Sequence, residues 1–414
     1  MRRKILVLVS EGGAAHITAS AAIQEVLEPT NIVEIVNVIA DIIHPLDLFH
    51  RVFKGRFTAE DLYNFMLCKG FHKGVNALVS LGSRYMLKKQ EQIEHLFDRY
   101  LDMQGIYDLV ISTVPFVNGG IARALMRHKI PFLIVPVTLD MRTFFLGMQS
   151  LFLQQEDRIL CTFPYEDMDL RKKSLQEVSC LESRIVVAGF PVRLACQKRY
   201  TTKEIVSLKH RHGMDPSRMT LTLALGSAGD RMVMPYTERL ATMPIGEFLS
   251  PLEINICVGR HEKTYQKLER YFRDKTLPVE YNTSYSSWAL PNGLVFHIRR
   301  YVEHLTDIMA CSQVIIAKTG SCIVNEAIYL GCKLLLDNTD SSLAGHLLWE
   351  HFTLHFVRKH GLGDVFHDLS EMTALLRIWI REGLSHPVLT GAFPLPDFTQ
   401  NLRSVVSHLL QESS

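Results

Sequence analysis

The sequence predicts an α/β protein made of two successive halves, each built on a mainly parallel sheet. Short apolar segments alternate with amphipathic segments of helical spacing, which is the pattern of βα units. The pattern begins again at Met219, so a second series of strands follows the first. At 414 residues the chain is long enough for two domains, each with its own core.

Each predicted strand is a short apolar run that ends at a turn or a polar segment. A glycine and a proline in Gly189–Arg193 interrupt the pattern, and the polar, largely helical segment Gln197–Pro216 follows. We therefore place the domain boundary at residue 190, with domains 1–190 and 191–414. The first-half strands are Lys4–Ser10, Ile32–Val38, Leu109–Thr113, Phe132–Val137, Arg158–Thr162 and Arg184–Ala188; those of the second half are Met219–Leu225, Glu253–Val258, Leu294–His297, Val314–Ala317 and Lys333–Leu336.

Composition excludes several classes of protein. The formal net charge is +2, which gives no reason to expect nucleic-acid binding. No segment approaches the roughly 20 apolar residues that cross a bilayer. Ile5–Val9 is too short for the core of a signal peptide. The eight cysteines are scattered without a Cys-x-x-Cys pair, so we expect reduced thiols, a cytoplasmic protein and no zinc.

The first glycine-bearing turn runs from Ser10 to His16 and leads into a predicted helix, Ile17–Leu27. His16 is expected in the first helical turn, at the carboxyl ends of the strands. A histidine placed there can take a proton from a hydroxyl group, and a positioned base accelerates reactions about 10²–10⁴-fold. A histidine that only hydrogen-bonds a nearby loop is the alternative interpretation.

Two further turns of this kind lie in the second half. Leu225–Gly229 follows one apolar strand, and Gly320 follows the strand Val314–Ala317. Backbone amides at such a helix start can hold a phosphate group. Glu326 lies about two turns into the next helix, within reach of a ribose. Ordinary βα turns with a solvated glutamate are the alternative interpretation.

The order of these motifs resembles the GT-B glycosyltransferases that make monogalactosyl- and glucosyl-diacylglycerol. More distantly, it is similar to the transferase that adds N-acetylglucosamine to the lipid-linked peptidoglycan precursor. The resemblance extends over most of the chain, from Lys4 to Phe366. The matching residues are Gly13 and His16, Pro131-Phe132, Thr138-Leu139-Asp140, Gly189–Arg193, Val258-Gly259-Arg260, Tyr301-Val302, Met309, Lys318-Thr319-Gly320, Glu326-Ala327 and Gly331.

The resemblance implies a fold of two facing Rossmann-like domains with an interdomain cleft. It also implies a last helix, Asn401–Leu410, that packs back on the N-terminal domain. A hexose would move from a UDP-sugar to a membrane lipid, such as diacylglycerol, with inversion of configuration. His16 would be the base, with Asp140 as its orienter or competitor, and Gly13 would belong to the acceptor loop. The residues implied for the nucleotide sugar are Gly226, Ser227, Gly229, Gly259, Arg260, Val302, Lys318, Gly320, Glu326 and Asp340.

The resemblance implies no bound metal or cofactor. Asp167 and Asp169 have the spacing of a metal pair, but they lie far from the predicted nucleotide turns, and we interpret them as a solvated helix start.

Several residues depart from the family pattern. Ala14 and Ala15 stand where the family has glycines, and Cys322-Ile323 replaces a Gly-Thr pair at the phosphate-facing helix start. Ser342-Leu343 stands where a Gln-Glu pair normally holds the donor sugar. These departures support an alternative function, that of a catalytically weakened relative that binds UDP-sugar or membrane and acts as a regulator. A sugar-nucleotide epimerase on the same architecture is a third possibility.

Between His44 and Tyr100 basic residues alternate with aromatic residues, and this basic-aromatic segment departs from the βα pattern. Such an arrangement suits an anionic membrane surface, where each Lys or Arg contributes about 1 kcal/mol. An inserted helical hairpin with a local aromatic core is the alternative. With the family resemblance, we expect peripheral membrane association through the following basic residues: Arg51, Lys54, Arg56, Lys88 and Lys89.

Overall fold

The computed structural model describes residues 2–138, 144, 157–161, 184–225, 230–244, 251–339, 347, 349–384 and 395–412. The chain divides into two compact units. The first comprises Met1–Leu194, Leu347–Phe352 and Leu395–Ser414, and the second comprises Ala195–His346 and Thr353–Pro394.

The first unit is built on a parallel sheet with the strand order β2-β1-β3-β4-β5-β6. Its central strands are apolar along their length, because helices cover both faces of a parallel sheet. Ile5 to Val9 of β1, for example, are all buried. The strands are β1 (Lys4–Val9), β2 (Ile32–Asn37), β3 (Leu109–Ser112), β4 (Phe132–Ile134), β5 (Arg158–Cys161) and β6 (Ile185–Val187).

The second unit carries a larger sheet with the order β14-β13-β12-β7-β8-β11-β10-β9. The strands from β14 to β11 are parallel, and β10 and β9 extend the sheet in antiparallel register. The strands are β7 (Met219–Ala224), β8 (Leu252–Cys257), β9 (Pro278–Tyr281), β10 (Tyr285–Ala289), β11 (Val295–Arg299), β12 (Val314–Ala317), β13 (Lys333–Asp337) and β14 (Gly363–Phe366).

Helices connect the strands, and several begin at side-chain caps that the sequence supplies. Thr58 and Asp61 form a capping box at the start of α3, as Thr201 and Glu204 do at α8. The helices are α1 (Ala14–Leu27), α2 (Leu48–Val52), α3 (Ala59–Cys68), α4 (His72–Lys88), α5 (Gln90–Gln104), α6 (Asn118–His128), α7 (Leu194–Gln197), α8 (Thr202–Arg211), α9 (Asp230–Ala241), α10 (Glu262–Arg273), α11 (Leu305–Ala310), α12 (Ser321–Tyr329), α13 (His351–Lys359), α14 (Leu369–Glu382) and α15 (Phe398–Glu412).

The division between the units differs from the predicted boundary at residue 190. Phe190 and Val192 are buried, and the backbone N–H of Leu194 donates to Glu25 in α1 at 3.0 Å. The turn after Gly189 therefore stays with the first unit, which ends its first segment at Leu194. The segment Leu347–Phe352 also belongs to the first unit, although the sequence placed it in the second domain.

The last helix, α15, belongs to the first unit and completes its hydrophobic core. Phe398, Leu402, Val406 and Leu409 are buried against Ile23, Val26 and Leu27 of α1 and against apolar residues of the sheet. Polar contacts fix the helix as well: the Asn401 side chain donates to the Ala188 carbonyl at 3.3 Å. The N-terminal sheet is therefore covered by a helix from the far end of the chain.

Candidate functional site

The loop between β1 and α1 turns sharply at Gly13. This glycine has φ +96°, a backbone conformation that L side chains rarely adopt. A Cβ atom here would also lie 3.7 Å from the ring of Tyr63. Ala14 and Ala15 lie in α1, and neither has a positive φ. The two alanines therefore impose no backbone strain.

His16 is in the first turn of α1, where the sequence predicted it. Its Nδ1 atom lies 2.7 Å from the carbonyl oxygen of Thr113, the residue after β3. A carbonyl oxygen can only accept a hydrogen bond, so Nδ1 carries the proton and Nε2 is the ring atom that can accept one. Burial lowers the pKa of His16 to about 4, although the Thr113 hydrogen bond opposes this effect. The imidazole is therefore neutral at physiological pH.

Side chains of α3 hold the same loop. Glu60 accepts a hydrogen bond from the Gly12 N–H at 3.1 Å and another from the Ser10 hydroxyl. Asn64 accepts from the Gly13 N–H at 3.2 Å and donates to the Glu11 carbonyl at 2.9 Å. Sequence reasoning missed these contacts, because α3 belongs to the basic-aromatic segment, and neither a membrane surface nor a hairpin with a local aromatic core places this helix against the loop. The capping box at Thr58 marks the start of α3 but gives no sign of its partner.

A second group of predicted residues lies at the carboxyl edge of the C-terminal sheet. Gly259 follows β8 and has φ +60°, which favours glycine. The guanidinium of Arg260 lies 4.7 Å from the ring centroid of Tyr301, which follows β11. Because β8 and β11 are parallel neighbours, their ends bring Arg260 close to Tyr301-Val302. A cation above an aromatic ring is a stabilising arrangement.

The turn after β12 leads into α12 at the same edge. Gly320 is the N-cap of α12 and has no side-chain capping bond from the described residues. The positive end of the helix dipole is therefore directed at this turn, a favourable place for an anion. Lys318 and Thr319 precede the cap, and Glu326 is buried in the second turn, only 4% exposed. Met309, matched to the base-binding helix, is instead fully buried core.

Several predicted site residues lie outside the described residues. They are Asp140, Gly226, Ser227, Gly229 and Asp340, together with Asp167, Asp169, Ser342 and Leu343. The described predictions fall into two groups. Gly13 and His16 lie in the first unit, and Gly259, Arg260, Val302, Lys318, Gly320 and Glu326 lie in the second.

The basic-aromatic segment folds into α2, α3, α4 and part of α5. Phe57 packs edge-on against Phe53 and Phe49, with ring centroids 5.6 and 6.4 Å apart, so a small aromatic cluster forms. Large apolar side chains nevertheless remain exposed in this segment: Leu48, Val52, Phe53, Phe65, Phe71, Leu81 and Leu87. Arg51, Lys54, Arg56 and Lys88 are also exposed, whereas Lys89 lies 5.6 Å from the Tyr85 ring centroid and is partly buried.

No helix in the described part of the chain combines the length and apolarity needed to cross a membrane. The described His, Cys, Asp and Glu side chains also form no group of three or more suited to a metal ion.

Comparison with known proteins identifies the fold. No protein-family model and no curated protein matches the chain. Solved structures do match it over nearly its whole length. MurG of Acinetobacter baumannii is 14% identical, with 99% of both chains covered and a TM-score of 0.54. UGT89C1 of Arabidopsis thaliana, complexed with UDP-L-rhamnose, is 11% identical, with 99% of both chains covered and a TM-score of 0.55.

A Listeria monocytogenes protein assigned as a UDP-N-acetylglucosamine 2-epimerase is 9% identical, with 100% of this chain and 97% of that chain covered and a TM-score of 0.55. The chain has the GT-B fold. The predicted fold class of two Rossmann-like domains is confirmed. At these identities the likeness establishes the fold alone, and it is shared by transferases and by a protein assigned as an epimerase.

Proposed function

We propose that this protein is an inverting glycosyltransferase that moves a hexose from a UDP-sugar to a hydroxyl group of a membrane lipid, most like diacylglycerol. The observation that carries the proposal is the hydrogen bond between His16 and Thr113. It leaves Nε2 of a neutral imidazole as proton acceptor beside a glycine turn at the carboxyl edge of a parallel sheet. Open α/β sheets bind their ligands at this edge.

In the proposed reaction the acceptor hydroxyl donates its proton to Nε2 of His16. The oxygen then attacks the anomeric carbon from the face opposite the leaving UDP, and the sugar–phosphate bond breaks with inversion. The departing diphosphate gains negative charge. In this reaction the backbone amides at the start of α12, after Gly320, and the cation of Arg260 stabilise the negative charge of the diphosphate. Glu326 accepts hydrogen bonds from the ribose hydroxyls, and backbone groups near Val302 bind uracil.

The basic-aromatic segment supplies the membrane part of the proposal. Its exposed apolar side chains, including Phe53 and Phe65, can enter the headgroup layer, while Arg51, Lys54, Arg56, Lys88 and Lys89 attract anionic lipids. A transferase that uses a soluble acceptor has no need for such a surface. This segment therefore favours a lipid acceptor and peripheral association with the membrane.

A second candidate is a UDP-sugar- or membrane-binding regulator of the same fold. It is favoured by Cys322 and Ile323 at the start of α12, where the family has smaller or hydroxyl-bearing residues. Backbone amides do not depend on these side chains, so diphosphate binding can persist when turnover is weak. Such a protein would bind UDP without forming a glycolipid.

The test is a turnover assay with radiolabelled UDP-glucose, UDP-galactose and UDP-N-acetylglucosamine. Vesicles contain diacylglycerol and an anionic phospholipid, and matched reactions omit the diacylglycerol. A labelled glycolipid that needs diacylglycerol supports the proposal. UDP binding by calorimetry without a glycolipid from any donor contradicts it and favours the regulator. Conversion of one nucleotide sugar into another without vesicles favours an epimerase.

A further inference from the structure

Glu60 joins the ends of two parallel strands to the loop before His16. Its Oε1 atom accepts hydrogen bonds from the Gly12 N–H at 3.1 Å and from the Ser10 hydroxyl, which follows β1. Its Oε2 atom accepts from the side-chain amide of Asn37 at 3.1 Å, at the end of β2. One carboxylate therefore receives three donors from two sides.

The orientation of Asn37 makes a carboxylate necessary at position 60. The Oδ1 atom of Asn37 accepts from the backbone N–H groups of Ile39 and Ala40 at 3.0 and 3.1 Å. The Asn37 amide nitrogen must therefore point at Glu60 and cannot exchange places with its oxygen. A glutamine at position 60 has only one acceptor oxygen. Its NH₂ group, itself a donor, would then point at one set of the donors that Glu60 binds, and no hydrogen bond could form there.

The same face of α3 makes the other contacts to the loop. Asn64, four residues after Glu60, bonds Gly13 and Glu11, and the Tyr63 ring packs against Gly13. Tyr63 is also stacked on Trp349, with ring centroids 6.5 Å apart. Phe65 lies about 100° further round the helix from Asn64, and 55% of its surface is exposed. One short helix thus contacts the loop on one face and presents an aromatic side chain to solvent on an adjoining face.

We propose that Glu60 is a positioning residue that couples the basic-aromatic segment to His16. When this segment binds an anionic phospholipid surface, the motion of α3 is reduced. The hydrogen bonds of Glu60 then also reduce the motion of the Gly12-Gly13 loop, which orients the first turn of α1. The proposal rests on the proposed function, because the restraint matters for turnover only if His16 is the base. In this proposal α3 is the element through which lipid binding changes the mobility of the Gly12-Gly13 loop.

Hydrogen exchange of the full chain tests the coupling without any need for turnover. Peptides covering residues 10–17 are followed with phosphatidylglycerol vesicles, with phosphatidylcholine vesicles and without lipid. Wild-type loop amides should exchange about tenfold more slowly with the anionic vesicles, the size expected for one hydrogen bond to a charged group. Glu60→Gln should lose this protection while sedimenting with the same vesicles as wild type.

Asp61→Ala is the matched control. Asp61 is exposed and accepts the capping bonds of Thr58, so this variant weakens the start of α3 without touching the loop. It should keep the vesicle-induced protection. Should Glu60→Gln fail to fold, Ser10→Ala removes one of the three donors and should lose part of the protection.

Turnover separates a positioning role from a structural one. Glu60→Gln should lower kcat on vesicle-borne acceptor by about tenfold, the effect of losing one charge-assisted contact, with unchanged KM for the nucleotide sugar. If no sugar is transferred by wild type, the proposed function fails while the exchange experiment still decides the coupling. The coupling is overturned if anionic vesicles do not bind, do not protect the loop, or protect it equally in Glu60→Gln.

Discussion

The Nδ1 atom of His16 lies 2.7 Å from the carbonyl oxygen of Thr113, so the end of β3 determines which ring nitrogen carries the proton. The acceptor is a backbone atom 97 residues away in sequence. A side chain at position 113 is therefore not required for this bond, and the orientation of the base follows from the parallel pairing of β1 with β3.

His16→Ala should greatly reduce turnover and leave UDP affinity unchanged, because the imidazole belongs to the first unit and the predicted nucleotide residues to the second. The loss should be about 10²–10⁴-fold in kcat, the range for a positioned base. Steady-state kinetics and calorimetry with UDP measure the two quantities. His128→Ala, on α6 of the same unit, is the control and should retain full activity. Unaltered turnover in His16→Ala would remove His16 from the mechanism.

The pH dependence of turnover should reflect the lowered pKa of His16. Burial lowers this pKa to about 4. The imidazole therefore stays neutral to about two pH units below the pKa of an ordinary histidine. At saturating substrates, kcat should therefore show no acidic limb near pH 6.5 that depends on His16. An acidic limb with a pKa near 6.5 would show that the imidazole is solvated during turnover.

The lowered pKa of His16 also determines the direction in which folding stability changes with pH. In the unfolded chain His16 binds a proton near pH 6.5, whereas in the folded chain it does so only near pH 4. The unfolded state therefore binds more protons in this window, and stability contributed by neutral His16 is complete above about pH 6.5 and is lost as the pH falls towards 4. Urea unfolding of wild type and His16→Ala across this range should show a smaller pH dependence in the variant.

Much of the fold was predictable because parallel strands are short apolar runs between helices. The predicted strands of both halves are present, with bounds that differ by up to three residues. β9, β10 and β14 were missed. Ser286 and Ser287 in β10 are buried and polar, and every residue of β9 is exposed, so neither strand has the apolar pattern of its neighbours. β14 contains only four residues and begins with Gly363-Asp364.

The candidate site was predictable only where its signals are local in sequence. Gly13 with His16, and Gly320 with Glu326, lie within a single strand–turn–helix unit each, and a short window contains both partners. The contact of Glu60 with Gly12 joins residues 48 apart, and the Arg260–Tyr301 pair depends on the pairing of β8 with β11. Neither contact can be predicted from the hydrophobic periodicity of the sequence, because each contact depends on which elements lie next to each other in the fold.

Glu326→Gln should weaken UDP binding. A carboxylate that accepts from both ribose hydroxyls loses one acceptor in the variant, which should raise the Kd by about 10-fold. Calorimetry with UDP and with uracil compares ligands with and without the ribose, and only UDP should be affected. Glu382→Gln, exposed at the end of α14, is the control. Equal affinity for UDP in Glu326→Gln would refute the ribose role.

Reversing the charges of Lys88 and Lys89 should weaken vesicle binding. Each cation near an anionic surface contributes about 1 kcal/mol, so replacing both by glutamate should lower the partition coefficient by at least about tenfold. Sedimentation with phosphatidylglycerol vesicles measures it, and the effect should shrink as salt is raised. The control variant replaces Lys263 and Lys267, both exposed on α10, by glutamate, because it changes the net charge by the same amount. Equal loss in both pairs would mean that only net charge matters.

Leu402→Ala should destabilise the first unit, because this side chain of α15 is fully buried with residues of α1 and of the first sheet. Truncating a buried leucine costs about 2–5 kcal/mol. Urea unfolding monitored by exchange of β1 and β3 amides assigns the loss to the first unit. Ser407→Ala, exposed on the same helix, should unfold like wild type. If Leu402→Ala leaves β1 and β3 equally protected, the N-terminal core does not depend on the last helix. If it exposes them, removal of the C-terminal helix will unfold the unit that carries His16, although 382 residues separate His16 from the start of α15 at Phe398.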